Sequence, residues 1–535
     1  MTSHIPYRQA EHRCPDNMDA WILGSSVTSL TSAVHLIQEA HIPPSRVHII
    51  ESLEKAGGGS ASTGDPVNGY DYCAGAMPGF NDVYMEKLLS IVPSKSNPNK
   101  TILDDLCEFH RSKSPLRSPN TRFLSCRTSG MTRTSSKQVG MGLRDRIDLF
   151  MMSSKTEETL GRSRIQDHFN SSFFRSSYWL LLSTTFGIEP THSAAEFRRY
   201  AQWFKNSKHE INHLRPIDNG LYNRHESIIV PVAQFLQSRG VDFRLGTSVT
   251  DIVLEPEAHR RVSSIHVVKD NQPEVSINVR PNDIVIVSLG SVISGATSGT
   301  NTTPPSLETI NPEKDLDENW LLWLELSTKD TKFGNAYNFC TRLCESRQES
   351  FTVTLKNPEF FDRFAELTGD APGSGVFVTL KDSNWLLSLE IPAQPLFPDQ
   401  PAEVQVFWGY SAFPEHKGDH IKKPMLECSG KEIMTEILHH LQFPESILRD
   451  SITIPCVMPR MAAALLPRGC GDRPQIIPEG MTNMALVGQF VDIPDDIVGT
   501  MDYYVRGAQI AVHRLMGLGH DVGSSKESSV TNTPG

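Results

Sequence analysis

The chain has 535 residues, 38% of them hydrophobic and 21% charged, with a net charge of −11. That length exceeds a single hydrophobic core and predicts a globular protein of two to four domains. The acidic balance excludes the basic surface that nucleic acid requires, and no apolar run is long enough for a membrane span. Nine cysteines without a CxxC pair read as reduced thiols in a cytoplasmic setting. The start, MTSHIPYRQAEHRC, carries no apolar segment of the secretory kind.

In chain order, residues 1–18 are polar and read as a flexible tail. Residues 19–107 open with DAWILG, an amphipathic stretch through Ala40, a Pro43-Pro44 turn and VHIIE. Strand, helix and strand in that order make the first unit of a dinucleotide-binding fold. Ser, Arg, Lys, Thr and Pro dominate 108–141, which reads as an exposed loop. Apolar residues at three- and four-residue spacing make 142–240 mainly helical, a cap over the substrate. Residues 241–314 return to the sheet through VDFRLGTSVTDIVLE and NDIVIVSLG. Residues 315–450 mix helices with FVTLKD, WLLSLEI and VQVFWGY, an α+β substrate domain. Residues 451–517 supply a last strand, MALV, and a closing helix, and 518–535 read as a disordered tail. The fold class is α/β: a Rossmann-like dinucleotide-binding domain with an inserted α+β domain and additional helical segments.

A diphosphate needs a tight strand-to-helix turn with bare backbone, usually written G-x-G-x-x-G. Here the turn is Gly24-Ser25-Ser26-Val27-Thr28-Ser29, so only the first glycine stands. Ser26 sits where the diphosphate approaches, and Ser29 where helix and strand pack closely. Glu51 ends the second strand, where an acidic side chain takes up ribose hydroxyls. Gly57-Gly58-Gly59-Ser60 follows, a loop whose amides can reach phosphate.

The wording of several segments is more specific than their periodicity. GQFVDIPDD followed by YYVRGAQIAV (488–512) closely resembles the oleate hydratases, also called the myosin-cross-reactive antigen family. FFRSSYWLLLSTTFGIEPTHSAAEFRRY (173–200), YNRHESIIVPVAQFL (222–236), ESFTVTLKNPEFFDRFAELTG (349–369), VQVFWGYSAFP (404–414) and GDRPQIIPEGMTNMALVGQF (471–490) resemble further blocks of that family, in its order. The resemblance implies FAD as cofactor, held by Gly24, Ser26, Ser29, Glu51, Gly58, Gly59, Ser60, Gly75, Gln489, Asp496 and Thr500. Asp495 and Asp496 read equally well as caps of the helix that follows. It also implies a long-chain unsaturated fatty acid as partner, with peripheral membrane contact and a homodimer, although no basic amphipathic helix is evident in the sequence.

That family adds water across an isolated cis double bond, giving a hydroxy fatty acid without net redox change. Such an alkene offers no carbonyl to polarise, so a positioned proton donor and an activated water must lower the barrier. The resemblance places the donor at Tyr200, in the intact FRRY motif; the alternative is a helix-face tyrosine packed on Phe197 and Phe204. The family's arginine–glutamate pair falls on Ala76 and Met77. Methionine accepts no proton, so Asp82, with Asp71 and Glu86 behind it, is the candidate replacement. Thr191 stands where the family carries an aromatic residue, and Asn223, Glu226 and Ser227 match a family loop. His192 and His225 lack ligand spacing, so no metal is assigned. The favoured activity is a hydro-lyase. The alternatives are a flavin-dependent isomerase or oxidoreductase on a lipid-like substrate, and a non-catalytic lipid-binding relative.

Overall fold

A computed structural model of the chain describes residues 13–58, 62–72, 83–95, 97–113, 119–127, 130–138, 140–207, 211, 220–255, 260–269, 272–307, 315–494 and 496–518. Five strands form a parallel sheet: β1 (Ala20–Leu23), β2 (Val47–Ile50), β3 (Asp242–Arg244), β4 (Ile284–Ser288) and β5 (Met484–Val487). Their order is β5-β4-β1-β2-β3. Every residue of β1, β4 and β5 is buried, as a sheet covered on both faces demands. Ile22 of β1 sits level with Ile286 on one side and Ile49 on the other.

Four helices matter below: α1 (Val27–Gln38), α2 (Ala194–Ser207), α3 (Gly430–Leu441) and α4 (Met501–Met516). Ser29, Thr31, Ser32 and Ala33 keep α1 slim, so it packs buried against both the sheet and α4. Their joint is polar at one end. Glu39, just past α1, takes hydrogen bonds from Gln509 and His513 of α4.

A second, eight-stranded sheet runs Thr297–Ser298, Ser451–Met458, Gln348–Leu355, Gln405–Ser411, Leu387–Glu390, Val378–Leu380, Phe123–Arg127, Gly130–Thr134. One face is covered by α3 and the helix Glu359–Thr368, with Phe360 stacked on Phe407 at 4.6 Å. The other carries Phe377, Trp408 and Tyr410, clustered with Tyr70 and Phe397.

The structure corrects several boundaries. The described parts of 108–141 carry regular structure: the helix Ile102–Lys113 enters the segment, and a hairpin of Phe123–Arg127 and Gly130–Thr134 closes the second sheet. Gly130–Thr134 is an edge strand, where polar and charged composition is tolerated, which hid it and with it the hairpin. Within 241–314 only β3 and β4 join the parallel sheet, while Thr247–Asn278 folds into a separate antiparallel three-stranded sheet. Ser451–Met458, assigned to the dinucleotide domain, belongs to the eight-stranded sheet. Cys456 is disulfide-bonded, contrary to the reading of nine reduced thiols, while Cys14, Cys107, Cys126, Cys340, Cys344, Cys428 and Cys470 are thiols outside any disulfide. No helix among the described residues is long and apolar enough to cross a membrane.

Candidate functional site

The carboxyl ends of β1, β2, β4 and β5 open onto a cavity of about 440 Å³, the place where α/β sheets bind ligands. Its floor is the first turn. Gly24 adopts φ +95°, and a side chain there would press on Ser288 of β4 at 3.2 Å. Ser26 caps α1: its hydroxyl accepts the Ser29 amide at 3.4 Å and lies 3.1 Å from the Ser288 hydroxyl. The Ser26 side chain is thus folded onto the helix and β4. A helix leaves its first amides without intrahelical partners. Ser26 occupies that of Ser29, and Val27 and Thr28 line the cavity.

Ser29 is fully buried, its hydroxyl 3.3 Å from that of Ser26, so the close helix–strand packing accommodates it. Ser25 is the organiser that the motif did not reveal. Its amide and hydroxyl donate to the Glu51 carboxylate at 2.8 and 2.5 Å. The same hydroxyl accepts the amides of Gly57 and Gly58 at 3.0 and 3.3 Å.

Two expected roles change as a result. Glu51 also accepts the Leu53 amide at 3.0 Å and the Ser52 hydroxyl at 3.2 Å. A carboxylate has about four lone-pair sites, so in this conformation Glu51 is filled by its own chain rather than open to ribose hydroxyls. The Gly58 amide is bonded to Ser25 rather than held out for phosphate. Both residues still line the cavity. Gly59, Ser60, Gly75, Ala76, Met77, Asp82 and Asp495 lie outside the described residues.

The C-terminal segment forms the opposite wall. Gln489, Val498, Gly499 and Met501 line the cavity, and the Tyr504 hydroxyl approaches the Gln489 side chain at 3.5 Å. Thr500 is the N-cap of α4, accepting the Tyr503 amide at 3.2 Å. Asp496 is a correction: it lines no part of the cavity and does not cap α4. Its carboxylate pairs with Arg506 at 2.7 Å and accepts the Ile497 amide at 2.9 Å.

Tyr200 of α2 reaches the cavity wall, with its ring 4.7 Å from that of Phe186. It shares the buried core with Phe197 and Phe204, while the Phe197 ring meets those of Phe169, Phe173 and Trp179. The Tyr200 hydroxyl donates to the Val498 carbonyl at 2.5 Å. Burial, together with the nearby Glu196 carboxylate, pushes its phenol well above the ordinary range, so it stays protonated. The preceding Arg199 holds Glu157 at 2.7 Å and Asp492 at 2.9 Å, and donates to the Ile493 carbonyl at 3.1 Å. The FRRY and IPDD segments are therefore one physical unit.

Neither described acid offered as a replacement base lines the cavity. Asp71 accepts the Ser298 hydroxyl at 2.8 Å, and Glu86 is exposed on the helix Val83–Ile91. Asn223 fixes the Leu396 carbonyl, and Ser227 donates to that of Tyr222. His192 is locked between the Glu189 amide and the Glu345 carbonyl, and burial pushes it down to about 4.

Residues that sequence reasoning missed also line the cavity: Tyr72, Arg224, His225, Asp317, Gln348 and Tyr504. His225 was weighed only as a metal ligand. Burial lowers its imidazole, and its ring packs against Gly57, where a side chain would meet it at 3.1 Å. Asp317 accepts the Trp320 amide at 3.1 Å, and burial pushes its carboxyl up to about 6. An Asp-x-x-Trp cap is visible in the sequence; its place beside the cavity is not. Much of the remaining wall is apolar, including Phe186, Val292, Met461, Ala464 and Leu465, with Ser291, Ser294, Glu318 and Asn319 among its polar members. A mostly apolar wall with a few polar groups and one arginine suits an apolar substrate with an anionic end.

The model described as the MCRA family matches residues 17–513. The oleate hydratase of Streptococcus pyogenes serotype M49 (strain NZ131) is 31% identical over 524 residues, covering 95% of this chain and 87% of that protein. The linoleate hydratase of Lactiplantibacillus plantarum is 26% identical over 550 residues, covering 94% of each chain. Among solved structures, the cyclohexylamine oxidase from Brevibacterium oxydans IH-35A has a TM-score of 0.54 at 12% identity, covering 96% of this chain and 99% of its own. A putrescine oxidase bound to putrescine has a TM-score of 0.53 at 11% identity, covering 93% and 99%. These two share the fold.

Proposed function

Because this chain belongs to the MCRA family, we propose that it is a hydro-lyase adding water to the cis double bond of a long-chain unsaturated fatty acid. The observation that carries the reading is Tyr200. A protonated phenol held by α2 stands in an apolar wall that meets the dinucleotide turn. Its proton goes to one alkene carbon, while water attacks the other and returns a proton to the phenolate side. His225 and Asp317 are among the described cavity residues able to orient that water, with Glu318 and Gln348 also on its lining. With Met77 at the family's glutamate position, hydration is slower than in relatives that keep the carboxylate.

The cavity suits FAD at its phosphate end: Gly24 is bare, and the first amides of α1 belong to cavity-lining residues. Its ribose end is taken by the Ser25–Glu51 bonds, which favours weak retention. Hydration transfers no net electrons, so FAD would supply shape and electrostatics to the site rather than redox chemistry. Of the expected set, Gly24, Ser26 and Gln489 are the described residues that would hold it, while Glu51 and Gly58 would first have to release Ser25. Arg224 supplies the cavity's positive charge for an anionic group.

The reading includes a cytoplasmic location, a homodimer and peripheral membrane contact. Contact is supported by the helix Leu143–Ser153, which exposes Leu143, Ile147, Phe150 and Met151; Asp145 and Asp148 balance Arg144 and Arg146, so the support is apolar rather than electrostatic. The test is incubation of FAD-supplemented protein with oleate and with linoleate, followed by mass spectrometry. A hydroxy fatty acid from either supports the reading, with Ala76→Arg plus Met77→Glu increasing its yield. No such product from either removes it.

A further inference from the structure

Far from the cavity, α3 carries Glu436 and, one turn later, His440, beneath the loop 416–424. Glu436 is fully buried. Its carboxylate accepts the amide of Asp419 at 2.6 Å, of His420 at 3.0 Å and of Ile421 at 2.7 Å. The His420 amide also reaches the second oxygen at 3.3 Å, so the oxygen nearest His440 already carries two backbone amides. His440 Nε2 lies 3.3 Å from that oxygen and 3.2 Å from Asp419 Oδ2. The His440 side chain is only 10% exposed. Its Nε2 is sealed from solvent yet meets hydrogen-bond geometry with neither oxygen. A buried nitrogen without a partner is costly, so its aim between two carboxylates calls for an occupant.

The separations identify one. Tetrahedral zinc with ligand bonds of about 2.0–2.2 Å sets neighbouring donor atoms about 3.3 Å apart. That matches both His440 distances, and all three donor atoms lie within 4.8 Å of one another. Asp419 Oδ2 is pre-set by the Asn384 amide at 2.8 Å, and the loop amides fix Glu436, so two of the three ligands are held before any ion arrives. The geometry points to a divalent cation of the zinc type bound by Asp419, Glu436 and His440, with water completing its shell. The ion clasps the loop 416–424 to α3, and through α3 to the eight-stranded sheet. The competing occupant is a proton, making His440 a charged partner for both carboxylates.

Untagged full-length protein, stripped with chelator and dialysed against Zn2+, distinguishes the two. The expected result is one tightly held zinc per chain, a higher melting temperature with Zn2+ than without, and Zn2+ binding weakened more than about tenfold in His440→Ala. Asp419→Asn is the second variant, because Glu436 holds three loop amides and its removal could unfold the loop. The inference is overturned if no stoichiometric zinc binds, or if His440→Ala and Asp419→Asn bind zinc as well as the parent. Exposed His416, His420 and His439 would then be the adventitious holders.

Discussion

Tyr200 has two jobs in this structure, and a single hydroxyl performs both. It lines the cavity as an acid, and it donates to the buried Val498 carbonyl. Tyr200→Phe should therefore lower hydration by a factor of about 10²–10⁴ and cost about 1–3 kcal/mol through the orphaned carbonyl. Tyr503→Phe is the control, since its hydroxyl bonds the Val491 carbonyl and it is not among the residues lining this cavity. It should lose similar stability with turnover retained. Equal loss of turnover in both variants would return Tyr200 to a structural role. At the turn, Ser26→Gly removes a cap at a cost of a few tenths of a kcal/mol and clears the diphosphate approach. Flavin occupancy after purification should rise, and unchanged occupancy would contradict crowding at Ser26.

At the scale of elements, α2 and the 489–500 segment behave as one part because Arg199 is buried between Glu157, Asp492 and the Ile493 carbonyl. Arg199→Ala should destabilise the chain by about 3–5 kcal/mol, as removal of one member of a buried ion pair does. It should also lower turnover by loosening the Tyr200–Val498 contact, and urea denaturation with a parallel assay would check both effects. Each block was legible in the sequence as a family motif. Their contact was not, because nearly 300 residues separate Arg199 from Asp492 and no local pattern encodes the pairing. Similarly, Ser25 carries no role in the sequence beyond its place in the turn Gly24-Ser25-Ser26. Its ties to Glu51, Gly57 and Gly58 appear only once three separate turns meet. The hairpin at Phe123–Arg127 and Gly130–Thr134 was lost to its polar composition, although Arg122, Phe123 and Leu124 are buried.

For the whole molecule, the parallel sheet was legible because its strands are apolar runs with turn signals between them. The eight-stranded sheet was harder, since it draws strands from 123–134, 297–298, 348–411 and 451–458. Between the α2 region and that sheet lie a buried carboxyl, Glu349, and a half-buried one, Glu189. Burial and the neighbouring Glu415 push Glu189 up to about 8 and hold Glu349 well above its ordinary value. Both Glu349 oxygens lack hydrogen-bond partners. A raised carboxyl favours the fold fully below the ordinary 4.5, and this contribution is lost as pH rises through the raised value. Melting temperature should therefore fall between about pH 5 and 8, and Glu189→Gln or Glu349→Gln should flatten that fall. A profile unchanged in both variants would contradict the assignment.

The central claim is water addition at an alkene by this chain, and the oxygen atom traces it directly. FAD-supplemented protein should be incubated with oleate and linoleate in water labelled with heavy oxygen, and the products weighed by mass spectrometry. The account predicts a hydroxy fatty acid carrying one labelled oxygen, formed slowly by the parent and faster after Ala76→Arg with Met77→Glu. An oxidised or isomerised product without the label, or unaltered fatty acid in both proteins, would contradict it.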